Sequence, residues 1–294
     1  MYNYTQSCLI IDKPSGISSN EVLTKVKKKL NQKKAGFSGT LDPLASGLLI
    51  IFFNKATKLC SYFLNADKSY EAIAKLGQIS NTGDSDGEIL ATNNIPDLNT
   101  INLKNLEKKY TGIINQIPPM HSALKYKGIR LYKYARDGIN IERQPREIKI
   151  YNIKLNIIDE EHISIKVKCS KGTYIRTLIE QLGEDIGCGA LVSKLVRTHI
   201  NDICLSRSVN LDNFLNSSEK DICDKYIINV DEMLYNTNSC YLSEINKSKV
   251  LNGNKVIIDE KAIEIVRIYD ENKRFIGIGK VNDNNELLPK KILI

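Results

Sequence analysis

Two neighbouring stretches of the chain, residues 147–158 and 163–169, alternate apolar and polar side chains almost without interruption. A repeat of two places the apolar side chains on one face of a β-strand. Because only residues 159–162 separate the two stretches, they predict an antiparallel hairpin. The fold must therefore contain a β-sheet that buries the face carrying Ile163, Ile165 and Val167.

Further strands are predicted on both sides of this hairpin. Residues 8–11 and 48–53 are apolar runs typical of buried strands, and residues 68–77 alternate like a strand with one buried face. From about residue 239 the pattern changes to short strands separated by polar turns. One of these strands is expected at residues 291–294, and the whole segment indicates a small separate β module.

Helices are predicted by their start and stop signals. Ser18 and Glu21 form a capping box before an apolar stripe, which predicts a helix over residues 19–31. Gly172 precedes a second helical stripe that ends at Gly187, and residues 55–64 predict a third helix. Residues 200–236 look like a polar, mostly helical connection.

The combination of hairpins and helical connections predicts an α+β fold with a mixed, mainly antiparallel sheet flanked by helices. We expect two domains, over residues 1–238 and 239–294. With 294 residues, 42% apolar and 26% charged, the composition is that of an ordinary globular protein. This balance excludes a disordered, collagen-like or disulfide-stapled chain.

The charge is distributed unevenly along the chain. The net charge is +8, but residues 1–200 carry 29 basic and 19 acidic residues, whereas the remainder is slightly acidic. An acidic partner such as nucleic acid would therefore bind mainly to the first two-thirds. Much of the excess is lysine, which an AT-rich genome would also produce. The lysines of residues 25–34 could be a solvated helix face or a phosphate-contacting surface.

Cysteine and histidine exclude several other classes. The seven cysteines are scattered without CxxC spacing, and the three histidines form no metal-ligand pair. This pattern favours buried thiols in a reducing compartment rather than disulfides or a zinc site. Residues 1–6 are polar, and the apolar run at 48–53 is far shorter than the ~20 residues of a membrane span. A cytoplasmic protein without a signal peptide is expected.

Residues 118–146 combine basic and aromatic side chains in an unusual way. Tyrosines alternate with lysines and arginines, and few apolar residues are available to pack the segment. Such a mixture suits phosphate contacts combined with base stacking. The alternative is a solvated loop with ordinary tyrosines.

Elimination leads to one candidate catalytic loop. The sequence has no GxxxxGK[ST], GxGxxG or GxSxG motif, so neither a P-loop, a dinucleotide fold nor a hydrolase elbow is indicated. The glycine-rich residues 36–47 hold one acid, Asp42, directly before a predicted buried strand. A carboxylate in such a loop can act as nucleophile or general base. Taken alone, Asp42 could equally be a turn or capping residue.

The whole loop, Gly-Phe-Ser-Gly-Thr-Leu-Asp-Pro-Leu-Ala-Ser-Gly, is far more specific than its aspartate. It resembles the motif II loop of the pseudouridine synthases and is most similar to that of the bacterial TruB family. Further landmarks of that family follow in the same order along nearly the whole chain. They are Asp12–Gly16, Lys68–Tyr70, Thr82–Gly87, Pro118–Lys125, Cys169–Arg176, Gly189–Leu195 and the segments around Gly277 and Pro289.

The resemblance implies an enzyme that isomerises uridine to pseudouridine at position 55, in the T loop of tRNA, on a pseudouridine synthase fold with a PUA-like C-terminal domain. It implies that Asp42 is the catalytic carboxylate, attacking base or sugar or removing a sugar proton. Arg176 would pair with Asp42, holding it in a bidentate contact that lowers its pKa. Tyr70 would stack on the flipped base and serve in proton transfer, and Leu195 would pack against its opposite face.

The resemblance also implies a set of RNA contacts, no metal and no cofactor. The residues expected at the RNA are Lys13, Phe37, Lys125, Arg130, Tyr132 and Arg136, of which Lys13 would also support the local structure. The chain departs from the family at Phe37, where relatives have a histidine. Phe37 can stack but cannot donate a hydrogen bond, so the RNA contact at this position is altered.

Two other functions compete with a stand-alone synthase. The chain could act chiefly as a tRNA-folding chaperone in which catalysis is secondary, or as the catalytic subunit of a guide-RNA complex. The short tail and the basic segment 118–146 favour a stand-alone reader of the T stem-loop. We therefore expect a monomer with no obligate protein partner and no membrane association.

Overall fold

A computed structural model describes residues 4–294 of the chain. Its strands, in chain order, are β1 (Ser7–Lys13), β2 (Ala35–Phe37), β3 (Ser46–Phe53), β4 (Lys68–Leu76), β5 (Gln78–Ser80), β6 (Ile89–Thr92), β7 (Gly112–Gln116), β8 (Lys125–Tyr126), β9 (Ile129–Arg130), β10 (Arg146–Ile157), β11 (His162–Cys169), β12 (Ala190–Ile200), β13 (Ile203–Cys204), β14 (Val209–Asn210), β15 (Ile227–Asn229), β16 (Asn238–Leu242), β17 (Val256–Ile257), β18 (Ile263–Asp270), β19 (Phe275–Val281) and β20 (Glu286–Ile292).

The α-helices are α1 (Ser19–Lys29), α2 (Cys60–Leu64), α3 (Leu103–Tyr110), α4 (Leu131–Arg136), α5 (Ile175–Ile186), α6 (Leu211–Asn216), α7 (Glu219–Lys225) and α8 (Glu244–Leu251). Short 3-10 helices lie at Asn54–Leu59, Leu98–Thr100, Leu205–Arg207 and Val230–Leu234. No helix within residues 4–294 is long and apolar enough to cross a membrane.

The centre of the molecule is a mixed sheet with the strand order β14-β1-β3-β12-β4-β11-β10-β7. Most neighbours are antiparallel, but β12 runs parallel to β3 and β14 parallel to β1. The predicted hairpin is present as β10 and β11, with Leu155 opposite Ile165. The α+β prediction with a mainly antiparallel sheet is thus confirmed.

Helices cover the sheet where the apolar pattern requires it. The predicted helix at residues 19–31 is α1, whose N-cap Ser18 accepts a hydrogen bond from the Glu21 amide at 3.1 Å. Val22 and Val26 of α1 are fully buried against β1 and β3. Helix α5 packs on the other part of the sheet and ends at Gly187, which has a left-handed φ of 92°. That conformation suits glycine because it has no Cβ.

The helix expected at residues 55–64 is present as a 3-10 helix followed by the short α2. The connection at 200–236 is mostly helical, as predicted, but it also contains three short strands, of which β14 and β15 pair with β1 and β13 pairs with β12. One local prediction was wrong. The last strand is β20 rather than residues 291–294, since it includes Pro289 at a register irregularity opposite β19.

The C-terminal strands β16 to β20 form a separate five-stranded sheet with its own core. This sheet also packs against the larger sheet and its flanking helix α2. Tyr269, Phe275 and Ile278 share an apolar cluster with Phe63 of that helix. The side chain of Gln6 donates hydrogen bonds to the carbonyl oxygens of Phe275 and Leu293. The C-terminal β module therefore packs against the larger sheet without contributing a strand to it.

Candidate active site

The loop that carries Asp42 is held by the start of α1. The Ser19 hydroxyl accepts a hydrogen bond from the Leu41 amide at 2.8 Å and donates one to the Leu41 carbonyl at 3.0 Å. The Gly16 amide donates to the Pro43 carbonyl at 2.8 Å. These bonds fix the backbone on both sides of Asp42, so the position of its carboxylate is set by the fold.

Lys13 is a second brace for the same loop. Its side chain is fully buried, and its ammonium group donates to the carbonyl oxygens of Pro14, Ile17 and Pro43 at 2.9, 2.6 and 3.3 Å. An ammonium has three donors, and all three are used. The expected RNA contact at Lys13 is corrected by this geometry to structural support of the loop. Burial lowers the pKa of Lys13 to about 8, although Asp42 acts in the opposite direction.

Arg176, at the start of α5, meets Asp42 at the centre of the site. Its Nε atom lies 3.0 Å from Asp42 Oδ2. The other two guanidinium nitrogens donate to backbone carbonyls, Nη1 to Thr82 at 2.6 Å and Nη2 to His121 at 2.7 Å. The pairing predicted from the sequence is present, but it uses one nitrogen rather than two because the carbonyls occupy the others.

The pKa of Asp42 shows which force dominates at the carboxylate. Burial raises this pKa above its ordinary value, and the adjacent Arg176 opposes the rise without cancelling it. The expectation of a lowered pKa is therefore wrong. The Asp42 side chain keeps 39% of its surface exposed, whereas that of Arg176 keeps 5%. The carboxylate is thus partly exposed, while the guanidinium that pairs with it is buried.

Tyr70 and Leu195 line the same region from adjacent strands. Leu195 on β12 pairs with Ala72 on β4, two residues from Tyr70, so all three side chains point to one face of the sheet. Leu195 is 6% exposed and belongs to the apolar cluster that also contains Leu41 beside the catalytic loop. Burial raises the pKa of Tyr70 to about 12, and Asp42 adds to this rise.

Two charged residues near the site were missed in the sequence. Asp84 is buried, accepts a hydrogen bond from the Thr82 hydroxyl at 2.6 Å, and lies 3.8 Å from Arg176 Nη1. Arg197 on β12 is 1% exposed and bonds the Gly39 carbonyl of the catalytic loop. A charged residue within an otherwise apolar strand was the only available signal for Arg197, and that strand itself was not predicted.

Gly47 explains how β12 reaches the loop. Its φ is 102°, and a Cβ at this position would lie 2.4 Å from the Arg197 carbonyl oxygen. Only glycine permits both the conformation and the approach. The glycine at the end of the catalytic loop therefore allows the parallel pairing of β3 with β12.

Among the residues expected at the RNA, Lys13 braces the Asp42 loop, whereas the other five make no hydrogen bond or ion pair with Asp42 or Arg176. The segment 118–146 reaches the site through the His121 carbonyl. Phe37 on β2 is partly buried against the apolar cluster beneath α1. Within residues 118–146, Lys125 and Arg130 are opposite each other in the exposed hairpin β8–β9. Arg136 lies over the Tyr132 ring, with its guanidinium carbon 5.5 Å from the ring centre. Residues 4–294 contain no cluster of acidic, histidine and cysteine side chains that could hold a metal ion.

Family models match both parts of the chain. The model described as the N-terminal domain of TruB family pseudouridylate synthase matches residues 27–175, which include Asp42 and Tyr70 and end immediately before Arg176. The model described as the C-terminal domain of pseudouridine synthase II TruB matches residues 239–293. The chain belongs to the TruB family.

Individual TruB relatives extend the similarity to almost the full chain. A protein of Buchnera aphidicola subsp. Schizaphis graminum named tRNA pseudouridine synthase B is 44% identical over 298 residues, which cover 97% of this chain and 95% of the relative. A Pseudomonas putida protein of the same name is 39% identical over 289 residues, covering 97% and 94%.

Solved structures share the fold at lower identity. A chain of an H/ACA RNP bound to a substrate RNA containing 2'-deoxyuridine has a TM-score of 0.72 and 22% identity, with 99% of this chain and 86% of that chain covered. A chain of a Cbf5-Nop10-Gar1 complex has a TM-score of 0.73 and 24% identity with the same coverage. These similarities confirm the pseudouridine synthase fold.

Proposed function

We propose that this TruB family member isomerises uridine to pseudouridine in tRNA, and that its target is position 55 in the T loop. The observation that carries the proposal is the ion pair between the partly exposed Asp42 and the buried Arg176, in a loop fixed by Ser19 and Lys13. The relatives named tRNA pseudouridine synthase B support tRNA as the substrate. The alternative of a chaperone with secondary catalysis has no comparable support.

The reaction explains why the site needs a carboxylate and no co-reactant. The bond between N1 of uracil and C1′ of ribose breaks, the base turns, and a bond from C5 to C1′ forms. C5 then loses its proton while N1 gains one, so substrate and product have the same atoms. A base inside a folded loop must first be flipped out to reach Asp42.

The positions of the side chains support the following proposed roles. Asp42 supplies the catalytic carboxylate, and Arg176 fixes its orientation through the 3.0 Å contact. Tyr70 stacks on the flipped base and takes part in proton transfer at C5, while Leu195 packs on the opposite side of the base. Asp42 must be ionised for this chemistry, and its raised pKa places the loss of activity at a higher pH than an ordinary aspartate would.

RNA recognition is assigned to the exposed segment 118–146 within a catalytic domain of residues 1–238. Lys125, Arg130 and Arg136 would contact phosphates, and Tyr132 would stack on an unpaired base. Residues 239–294 form the PUA-like domain. We propose that the protein works in the cytoplasm as a monomer, on the T stem-loop alone, without a metal, cofactor, guide RNA or obligate protein partner.

The test is tritium release from carbon-5-labelled uridine in a T-arm hairpin. Asp42→Asn should reduce the rate by ~10³-fold or more while the hairpin still binds. Asp212→Asn, in the distant helix α6, removes the same charge and should leave the rate unchanged. Turnover by Asp42→Asn at the wild-type rate would reject the function. If the wild-type protein turned over the hairpin only with an added guide RNA, stand-alone action would be rejected.

A further inference from the structure

Arg197 is the largest fully buried side chain of the described residues, and it touches three separate segments. Nε donates to the Leu48 carbonyl on β3 at 2.8 Å, and Nη2 donates to the Gly39 carbonyl in the Asp42 loop at 3.1 Å. Arg197 also stands directly opposite Tyr70 in the pairing of β12 with β4, so the two side chains are neighbours on one face of the sheet. One side chain therefore links the loop, strand β3 and the position of Tyr70 on β4.

The charge of Arg197 has no acidic partner. Within residues 4–294, no carboxylate forms an ion pair with its guanidinium, and Tyr70 is the group whose contacts favour the charged form. A buried cation without a counter-ion is costly, and an apolar side chain of similar volume would serve packing better. The cost is located where the catalytic loop meets Tyr70, which points to a role at the site rather than in the core.

Lys68, on the same strand β4 as Tyr70, is a buried cation with a purely structural role. Its ammonium group donates to the carbonyl oxygens of Phe63, Leu64 and Ala66, which all belong to the adjacent turn at the end of α2. Lys68 therefore caps one local segment. Arg197 instead bonds groups that are far apart in the sequence and that the proposed reaction uses together.

We propose that Arg197 is a positioning residue that acts through Tyr70, by fixing the phenol against the catalytic loop and by facing its oxygen with a positive charge. The proposal rests on the proposed function. In the last step of the reaction, Tyr70 in its phenolate form, having released its own proton to water, accepts the proton from C5. The electron pair of the C5–H bond forms the C5–C6 double bond, the π pair of the N1–C6 double bond moves to N1, and N1 takes up a proton from water.

The electrostatics of Tyr70 agree with this assignment. Burial raises its pKa to about 12, while the charge of the neighbouring Arg197 acts to lower that pKa. Without Arg197, the phenolate would be rarer at any given pH. The neighbouring cation therefore favours the form of Tyr70 that can take a proton.

The first experiment is a double-mutant cycle on a T-arm hairpin with Tyr70→Phe, Arg197→Met and the combined variant. If Arg197 acts through Tyr70, Arg197→Met should lower kcat by about 10- to 100-fold with KM changed less than about threefold. The combined variant should then be no slower than Tyr70→Phe alone. Multiplying effects would overturn the proposal, because they would show that Arg197 acts independently of Tyr70.

The matched control is Lys68→Met, which removes a buried cation bonded to carbonyls from the same strand as Tyr70. It should lower the thermal midpoint, yet its effect on kcat should multiply with that of Tyr70→Phe. If Lys68→Met behaves like Arg197→Met in the cycle, the coupling reflects general loss of structure and the proposal fails. Circular dichroism of every variant verifies folding.

A second measurement does not depend on activity. NMR of protein with carbon-13 at the tyrosine ζ position follows the ionisation of Tyr70, assigned by its loss in Tyr70→Phe. Arg197→Lys, which keeps the charge and folds more readily, should shift the titration only slightly, whereas Arg197→Met should move it to higher pH. An unmoved titration would overturn the proposal, whereas a moved titration in a protein that does not isomerise uridine would reject only the proposed function.

Discussion

The cluster around Asp42 and the exposed part of the segment 118–146, residues 125–136, are built in opposite ways. Ser19 bonds Leu41 beside Asp42, and Arg176 donates to the carbonyl oxygens of Thr82 and of His121, which lies near the start of the segment. Residues 125–136 instead form a hairpin with two-residue strands and the six-residue helix α4, in which Leu131 is the buried apolar residue. In the proposed function, the chemistry therefore depends on groups that the fold holds in place, whereas recognition depends on exposed side chains.

The largest effect is expected in the cluster around Asp42. Arg176→Gln should lower kcat/KM for the hairpin by about 10²- to 10³-fold, because Asp42 loses both its orientation and its charge partner. Arg176 opposes the rise in the pKa of Asp42, so its removal should move the acid limb of the pH profile to higher pH. Arg176→Lys keeps the charge and should move the limb less, and an unmoved limb in Arg176→Gln would contradict the electrostatic role.

Changes in the exposed segment 118–146 should alter RNA binding rather than the chemical step. Arg130→Gln combined with Arg136→Gln should raise KM about tenfold with little change in kcat. It should also make the plot of log binding constant against log salt concentration less steep, by the equivalent of about two phosphate contacts. Lys27→Gln combined with Lys28→Gln, on α1, removes the same charge. An equal loss in that control would show that net charge, not the segment 118–146, attracts the RNA.

A smaller effect is expected at Asp84, the second carboxylate near Arg176. Asp84 adds to the rise in the pKa of Asp42, so Asp84→Asn should move the acid limb of kcat/KM to lower pH. We expect a rate change of less than about tenfold at neutral pH, because Asp84 changes the charge near Asp42 without contacting it. Movement of the limb to higher pH would show that Asp84 acts by holding Arg176 rather than through its own charge.

The smallest changes test stability alone. Leu178 on α5 is fully buried beside Arg176, whereas Ile129 in the hairpin β8–β9 is 47% exposed. Leu178→Ala should lower the free energy of unfolding by about 2–5 kcal/mol, and Ile129→Ala should change it by less than about 0.5 kcal/mol. Urea denaturation of both variants measures this. A large loss at Ile129 would show that the segment 118–146 is part of the cooperative core.

Patterns with a local physical cause were predicted well. The Ser18 cap and the Val22–Val26 stripe gave α1, and strict alternation gave the β10–β11 hairpin. Strand β12 was missed because both its neighbours, β3 and β4, pair with it across long stretches of sequence. Its mixed apolar and charged residues carry no clear repeat of two, since register irregularities at Val192 and Arg197 interrupt the alternation.

The sequence by itself determined the hairpin of β10 and β11, the covering helices α1 and α5 and, through the loop around Asp42, the family. It also indicated that Arg176 belongs with Asp42. The tertiary structure alone decided the direction of the Asp42 pKa shift, because burial depends on what surrounds the carboxylate rather than on its partner. The same is true of Asp84 and Arg197. Their roles arise from contacts between segments that lie far apart in the chain, and local sequence patterns do not report such contacts.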